Sequence, residues 1–108
     1  MGALLALAFA VSGLHGIVSR GPIQPVCKEG SPCTAPAVGA QLVFSRNGRV
    51  AARVRTLAGG RYTVRLAAGT YAVRLSPVPR IGGITPRTVR VPGGASRRLD
   101  FMIDTGIR

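Results

Sequence analysis

The chain has no tryptophan, two tyrosines and three phenylalanines in 108 residues. With so few aromatic side chains, its core must be built mostly from Val, Leu, Ile and Ala. Acidic residues are as scarce: Glu29, Asp100 and Asp104 stand against fifteen basic residues, for a net charge of +12. Three carboxyl groups, one histidine and two cysteines assemble no acid–base pair, activated nucleophile or metal-ligand set. The sequence therefore predicts no enzyme, no catalytic residue, no metal site and no cofactor. No apolar run approaches the roughly 20 residues of a membrane-spanning helix, so no transmembrane span is expected. No linker or low-complexity tail divides the chain, and its length suits a single domain.

What is present begins with residues 1–11, MGALLALAFAV, a short apolar run of small residues. The triplet Ala8-Phe9-Ala10 fits the small-x-small cleavage pattern of a secretory leader. The reading is a leader over 1–12, whose true start can lie further upstream, and a domain over 13–108. The competing reading makes the run a buried first element of the domain. Residues 21–39 hold four prolines and both cysteines. Proline fixes φ and cannot donate to a ladder, so this stretch is a loop. Cys27 and Cys33 have five residues between them, including Gly30 and Pro32, a spacing that suits a local disulfide. Metal binding lacks further ligands, and a redox pair is more usually spaced Cys-x-x-Cys. An even cysteine count behind a leader places the protein in a secreted or extracytoplasmic compartment.

The clearest periodicity lies in residues 59–76, GGRYTVRLAAGTYAVRLS. Tyr62, Val64 and Leu66 alternate with Thr63 and Arg65; Tyr71, Val73 and Leu75 alternate with Ala72, Arg74 and Ser76. Two period-two runs joined through a Gly-bearing turn predict a β-hairpin in which Leu66 faces Tyr71, Val64 faces Val73 and Tyr62 faces Leu75. Further strands are predicted over 14–19, 40–46, 49–56, 87–91 and 96–104. Asn47-Gly48 is the strongest two-residue hairpin signal in the chain. Val50, Ala52, Val54 and Thr56 are expected to face inward, and residues 77–86 to form an irregular connection. Seven strands with regular turns, and no sustained 3.6-residue period, predict an all-β, seven-stranded antiparallel β-sandwich.

Fourteen of the fifteen basic residues are Arg, and Lys28 is the one Lys. Alternation turns Arg53, Arg55, Arg65, Arg74 and Arg90 outward, where they are candidate contacts for a polyanion. The competing explanation is a composition biased towards Arg, Ala, Gly and Val, with the charge serving solubility. Both tyrosines read as inward-facing, so no stacking platform for bases accompanies the arginines, which argues against specific nucleic-acid binding. His15, the one histidine, reads as a strand-edge residue.

The segment 39–75 resembles the carboxypeptidase regulatory-like domain of the transthyretin-like (prealbumin-like) sandwiches. The pieces that carry the resemblance are the apolar strand 40–44, the Asn47-Gly48 turn, the strand 50–56 ending in Thr, the Gly59-Gly60 turn, the strand 62–66 and Leu66-Ala67-Ala68-Gly69-Thr70-Tyr71. Where the family often has Asp and Pro, this chain has Gly59 and Ala68. The resemblance implies a Greek-key, prealbumin-like sandwich, and a non-catalytic accessory or adhesion module outside the cytoplasm. Hydrolases of similar fold end in Tyr-Arg-Gly-Ser, whereas this chain ends in Thr105-Gly106-Ile107-Arg108. The expected function is a secreted structural or interaction module of the cell envelope, whose partner is a protein or an anionic polymer. The alternative is a purely electrostatic binder of anionic polymers through Arg-rich strand faces. The sequence leaves the oligomeric state open.

Overall fold

A computed structural model of the chain describes residues 12–107. The expected leader therefore lies, but for Ser12, outside the described residues. Among the described residues ten strands form two sheets. The first sheet is organised on β1 (Gly13–Gly21), with β2 (Ala35–Pro36), β5 (Arg61–Arg65), β7 (Gly83–Thr85), β9 (Ser96–Arg98) and β10 (Phe101–Asp104). The second has the order β4-β3-β6-β8, from β3 (Gln41–Arg46), β4 (Arg49–Arg55), β6 (Gly69–Leu75) and β8 (Thr88–Val91).

β1 is long enough to serve two sets of partners. Its first half lies between β5 and β9, with His15 opposite Thr63 on one side and Arg98 on the other. Its second half lies between β2 and β10, with Val18 opposite Phe101. Both β9 and β10 run parallel to β1. The all-β sandwich stands, but in place of seven antiparallel strands there are ten in a mixed arrangement. Two additions are short pieces in segments expected to be loop: β2 in the Pro-rich stretch, and β7 within 77–86, which pairs with β10. A third comes from a break in the last strand. Asp100 accepts the Ile17 N–H through Oδ1 at 2.9 Å, so its side chain takes the place of a ladder bond to β1 at the gap that separates β9 from β10. Gly16 is required opposite that break, because a Cβ there would lie 2.6 Å from Asp100 Oδ1.

The hairpin predicted over 59–76 is not formed. β5 pairs with β1 in the first sheet, while β6 pairs with β3 and β8 in the second. Alternation is kept: Tyr62, Val64, Leu66, Tyr71 and Val73 are all buried. The two runs cross from sheet to sheet, so their apolar faces meet across the core instead of lying side by side on one surface. The corner is held locally. Gly69 takes φ 152°, and the Tyr71 hydroxyl donates to the Ala67 carbonyl at 2.6 Å, a tyrosine closing the turn that precedes it. The Leu66 N–H is carried away to Ser12 O at 3.2 Å.

The predicted Asn47-Gly48 hairpin is present. Arg46 pairs with Arg49, and both turn residues have positive φ, 53° and 76°, as a type I′ turn demands. A bulge near Phe44 and Ser45 shifts the register: Phe44 opposes Ala52, while Ser45 opposes Val50. That extra residue turns Val50 out of the core, where it is 43% exposed, against the inward expectation.

Aromatic side chains mark the centre of the core. Phe101 packs edge-on against Phe44 of the opposite sheet, centroids 6.2 Å apart, and against Tyr62 at 5.5 Å. Leu14, Val18, Leu42, Ile84, Val89 and Val91 fill the space around them. Thr56 anchors the end of the long loop: its hydroxyl donates to Ala37 O at 2.5 Å and accepts the Ala40 N–H at 2.9 Å. Cys27 and Cys33 form the expected disulfide in the loop's exposed part, with Cα atoms 5.5 Å apart.

Candidate anion-binding face

The second sheet has one face in the core and one in solvent. Register places Arg53 of β4 and Arg74 of β6 on either side of Val43 of β3. Strands about 4.8 Å apart put the two arginine backbones about 10 Å from each other. Arg55 follows on β4 opposite Gln41. Arg90 pairs with Thr70, which lies four residues and about 13 Å along β6 from Arg74 on the same surface. All four arginines are exposed. Val43 between them is fully buried yet stands outside the central apolar cluster. Long arginine stems beside an outward valine can cover it while their guanidinium heads stay in water.

Of the five arginines predicted as polyanion contacts, Arg53, Arg55, Arg74 and Arg90 therefore share one face. Arg65 does not: it lies on β5 in the other sheet, opposite Gly13. The reason is the sheet crossing at 66–69, which sends the outward sides of the two alternating runs to opposite surfaces of the sandwich. Three further arginines border the second sheet. Arg46 and Arg49 flank the type I′ turn, and Arg46 donates to Ala68 O at 3.2 Å with its guanidinium carbon 5.8 Å from the Tyr71 ring centroid. Their adjacency was readable from Asn47-Gly48. Arg87, just ahead of β8, was hidden in a Pro-rich connection.

No acidic residue occurs in β3, β4, β6 or β8. Glu29 is in the cysteine loop, Asp100 stands between β9 and β10, and Asp104 ends β10. Among the described residues one ion pair is found, Arg98–Asp100 at 3.5 Å, and both side chains are exposed. Such a pair contributes little to stability.

The outer face of the first sheet is chemically mixed. His15 Nδ1 lies 2.7 Å from Ser96 Oγ, in a shallow hollow of about 240 Å³ that Arg61, Thr63 and Arg98 also line. Asp100 is held below its ordinary pKa chiefly by the Ile17 N–H, against an opposing effect of burial, with the Arg98 and His15 charges adding to the lowering. Beneath the sheet, the Tyr62 hydroxyl donates to Leu99 O. Burial pushes its ionisation well above the ordinary tyrosine value, and the Asp100 charge adds to this.

No helix among the described residues is long and apolar enough to cross a membrane. No known protein family and no curated protein matches the chain. Among solved structures it is similar to the crystal structure of a DUF3823 family protein from Parabacteroides merdae ATCC 43184, with 17% identity and a TM-score of 0.47. The match covers 85% of this chain and 45% of that protein, so the chain spans less than half of its length.

Proposed function

We propose that the chain is a non-catalytic β-sandwich interaction module working outside the cytoplasm, and that it holds an anionic envelope polymer on the outer face of β4-β3-β6-β8. The observation that carries this reading is the row Arg53–Val43–Arg74, extended by Arg55 and Arg90 on a sheet without acidic residues. At physiological salt the Debye length is about 8 Å, shorter than the spacing of these arginines, so each guanidinium acts on the stretch of polymer nearest to it and their contributions add as separate phosphate-type contacts. The disulfide supports the extracytoplasmic setting. The finer fold reading, a Greek-key carboxypeptidase regulatory-like domain of prealbumin-like type, rests on the motif from Leu66 to Tyr71, with the Tyr71 hydroxyl closing its corner.

A second reading has support from β4, an edge strand that carries Arg49, Arg53 and Arg55 and a bulge. Charges and bulges on an edge discourage self-pairing, which would make the arginines a protective feature of a structural module. One experiment separates the two. Binding to isolated envelope material, with DNA as a control, is followed from low to high salt for the wild type, an Arg53→Ser/Arg74→Ser variant and an Arg65→Ser variant. Envelope-selective binding that survives physiological salt, and that the double variant loses while Arg65→Ser keeps it, supports the dedicated face. Equal loss in both variants, or equal salt-labile binding to DNA, reduces the charge to a generic property.

A further inference from the structure

A cleft of about 270 Å³ opens at the seam between the sheets. β8 pairs with β6 only over Gly69–Ala72, and one more bond, Val73 N–H to Arg87 O at 2.8 Å, closes that ladder. Past that point the flank of β6 faces the 76–82 connection and β7. Val73 and Ile84, both buried, form the floor, with Leu75 half-buried beside them. Val78 and Pro79 stand as an apolar wall, Val78 being 71% exposed. Arg74 and Arg87 complete the lining, and no acidic residue belongs to it. Asp104 packs behind Gly82, its Oδ1 accepting the Gly106 N–H at 2.9 Å. Gly83 keeps the space open: a Cβ there would meet nothing nearer than Arg87 Nη2, at 3.9 Å.

We infer that this cleft is a binding site for a small apolar monocarboxylate, with the hydrocarbon on Val73, Leu75, Val78 and Ile84 and the carboxylate on Arg87 and Arg74. An apolar concavity with a few convergent polar groups is the general form of a small-ligand site, and its size, below that of most drug-sized pockets, suits a chain of about six to eight carbons. The planar guanidinium fork matches a carboxylate in two parallel hydrogen bonds. Val78 in that wall is largely exposed, so a hydrocarbon tail covering it removes it from water. The site shares Arg74 with the polymer-binding face, and Arg87 and the apolar lining belong to the cleft alone.

The test is an amide NMR titration of the full chain with hexanoate, using acetate, hexanol and hexylammonium as controls. Saturable shifts confined to residues 73–87, with hexanoate at least about tenfold tighter than acetate or hexylammonium, are expected. Arg87→Ala should weaken hexanoate by about tenfold, the loss of one charged hydrogen-bonding group. Val78→Asp changes an exposed side chain and should abolish binding while spectra elsewhere keep their dispersion. Arg53→Ser, which disables the polymer face, should leave hexanoate affinity unchanged. Equal response to hexanoate and hexylammonium, shifts spread over Arg53 and Arg55, or full affinity in an Arg74→Ala/Arg87→Ala variant would overturn the assignment.

Discussion

Replacing Tyr62 by Phe should destabilise the protein at neutral pH and stabilise it in alkali. The ring stays packed against Phe101, so the change removes only the hydroxyl and its bond to Leu99 O. At pH 7 that loss costs about 1 kcal/mol, the usual net worth of one hydrogen bond. The sign reverses because burial raises the folded-state pKa well above the unfolded value. A raised pKa means that the stabilising contribution is complete below the unfolded pKa, about 10, and is lost as pH rises beyond it. Between the two values the unfolded wild type sheds a proton that the folded wild type keeps, and stability falls by up to about 1.4 kcal/mol per pH unit. The phenylalanine variant has no such loss. Equating about 1 kcal/mol with RT ln(1 + 10^(pH−10)) places the crossover near pH 10.6. Urea unfolding of both proteins from pH 7 to 11, followed by circular dichroism, measures it. A stability gap that stays constant across this range would refute the buried hydroxyl as the origin of the shift.

Thr56→Val keeps shape but leaves Ala37 O and the Ala40 N–H without their shared side-chain partner. A loss of about 2 kcal/mol is expected, or about 10 °C in Tm, with an equivalent loss in Thr56→Ala and a smaller one in Thr56→Ser. Asp100→Asn should flatten the acid limb of the stability curve. The carboxylate's folded-state pKa is depressed, so its contribution is present above the ordinary carboxylate range and lost as pH falls through the folded value. A variant whose acid unfolding profile matches the wild type would dismiss that role. The Cys27→Ser/Cys33→Ser variant should unfold about 2 kcal/mol more easily, from the loop entropy of so short a ring, while keeping the spectrum of the sandwich. An unchanged melting temperature would make the disulfide irrelevant to stability.

Alternation made the inward residues legible. Tyr62, Val64, Leu66, Tyr71, Val73, Val89, Val91 and Phe101 could each be assigned from a period of two, since a strand has only two sides. Which strand lay beside which was not legible. The 66–70 connection reads identically whether the chain folds back in one sheet or crosses to the other, because both solutions hide the same side chains. The difference lies in long-range pairing with β1, more than forty residues upstream, which no local pattern records. The missed strands have a similar cause. β7 is three residues among prolines and glycines, and it becomes a strand only because β10 offers it a ladder. Val50 failed for a local reason: the bulge beside Ser45 breaks the period that its assignment depended on. The grouping of the arginines inherits these facts. Arg53 and Arg55 could be matched from the hairpin register, whereas the separation of Arg65 from Arg74, nine residues apart in sequence, follows only from the crossing.

The placement of the acidic residues explains why a basic face persists in a protein that could have neutralised it. Asp100 is committed to the backbone of β1, where its carboxylate accepts the Ile17 N–H in the gap between β9 and β10. Asp104 ends β10 and accepts the Gly106 N–H, turning the chain. Glu29 sits in the disulfide loop, away from either sheet's strands. Both aspartates do structural work on the first sheet that an uncharged hydrophobic side chain could not do, and neither strand they serve pairs with a strand of the second. Arginine is then the one charged residue type on β3, β4, β6 and β8, and its roles there divide by position. Arg46 and Arg55 donate to main-chain carbonyls, of Ala68 and Gly39, and so secure the ends of their strands. Arg53 and Arg74 stand in register on either side of the buried Val43 and are both exposed. Covering Val43 alone would be served as well by methionine or leucine at positions 53 and 74. Positive charge at both, with no acid within the sheet, adds self-repulsion without adding a contact. That uncompensated repulsion is what an anionic ligand laid across the row would relieve.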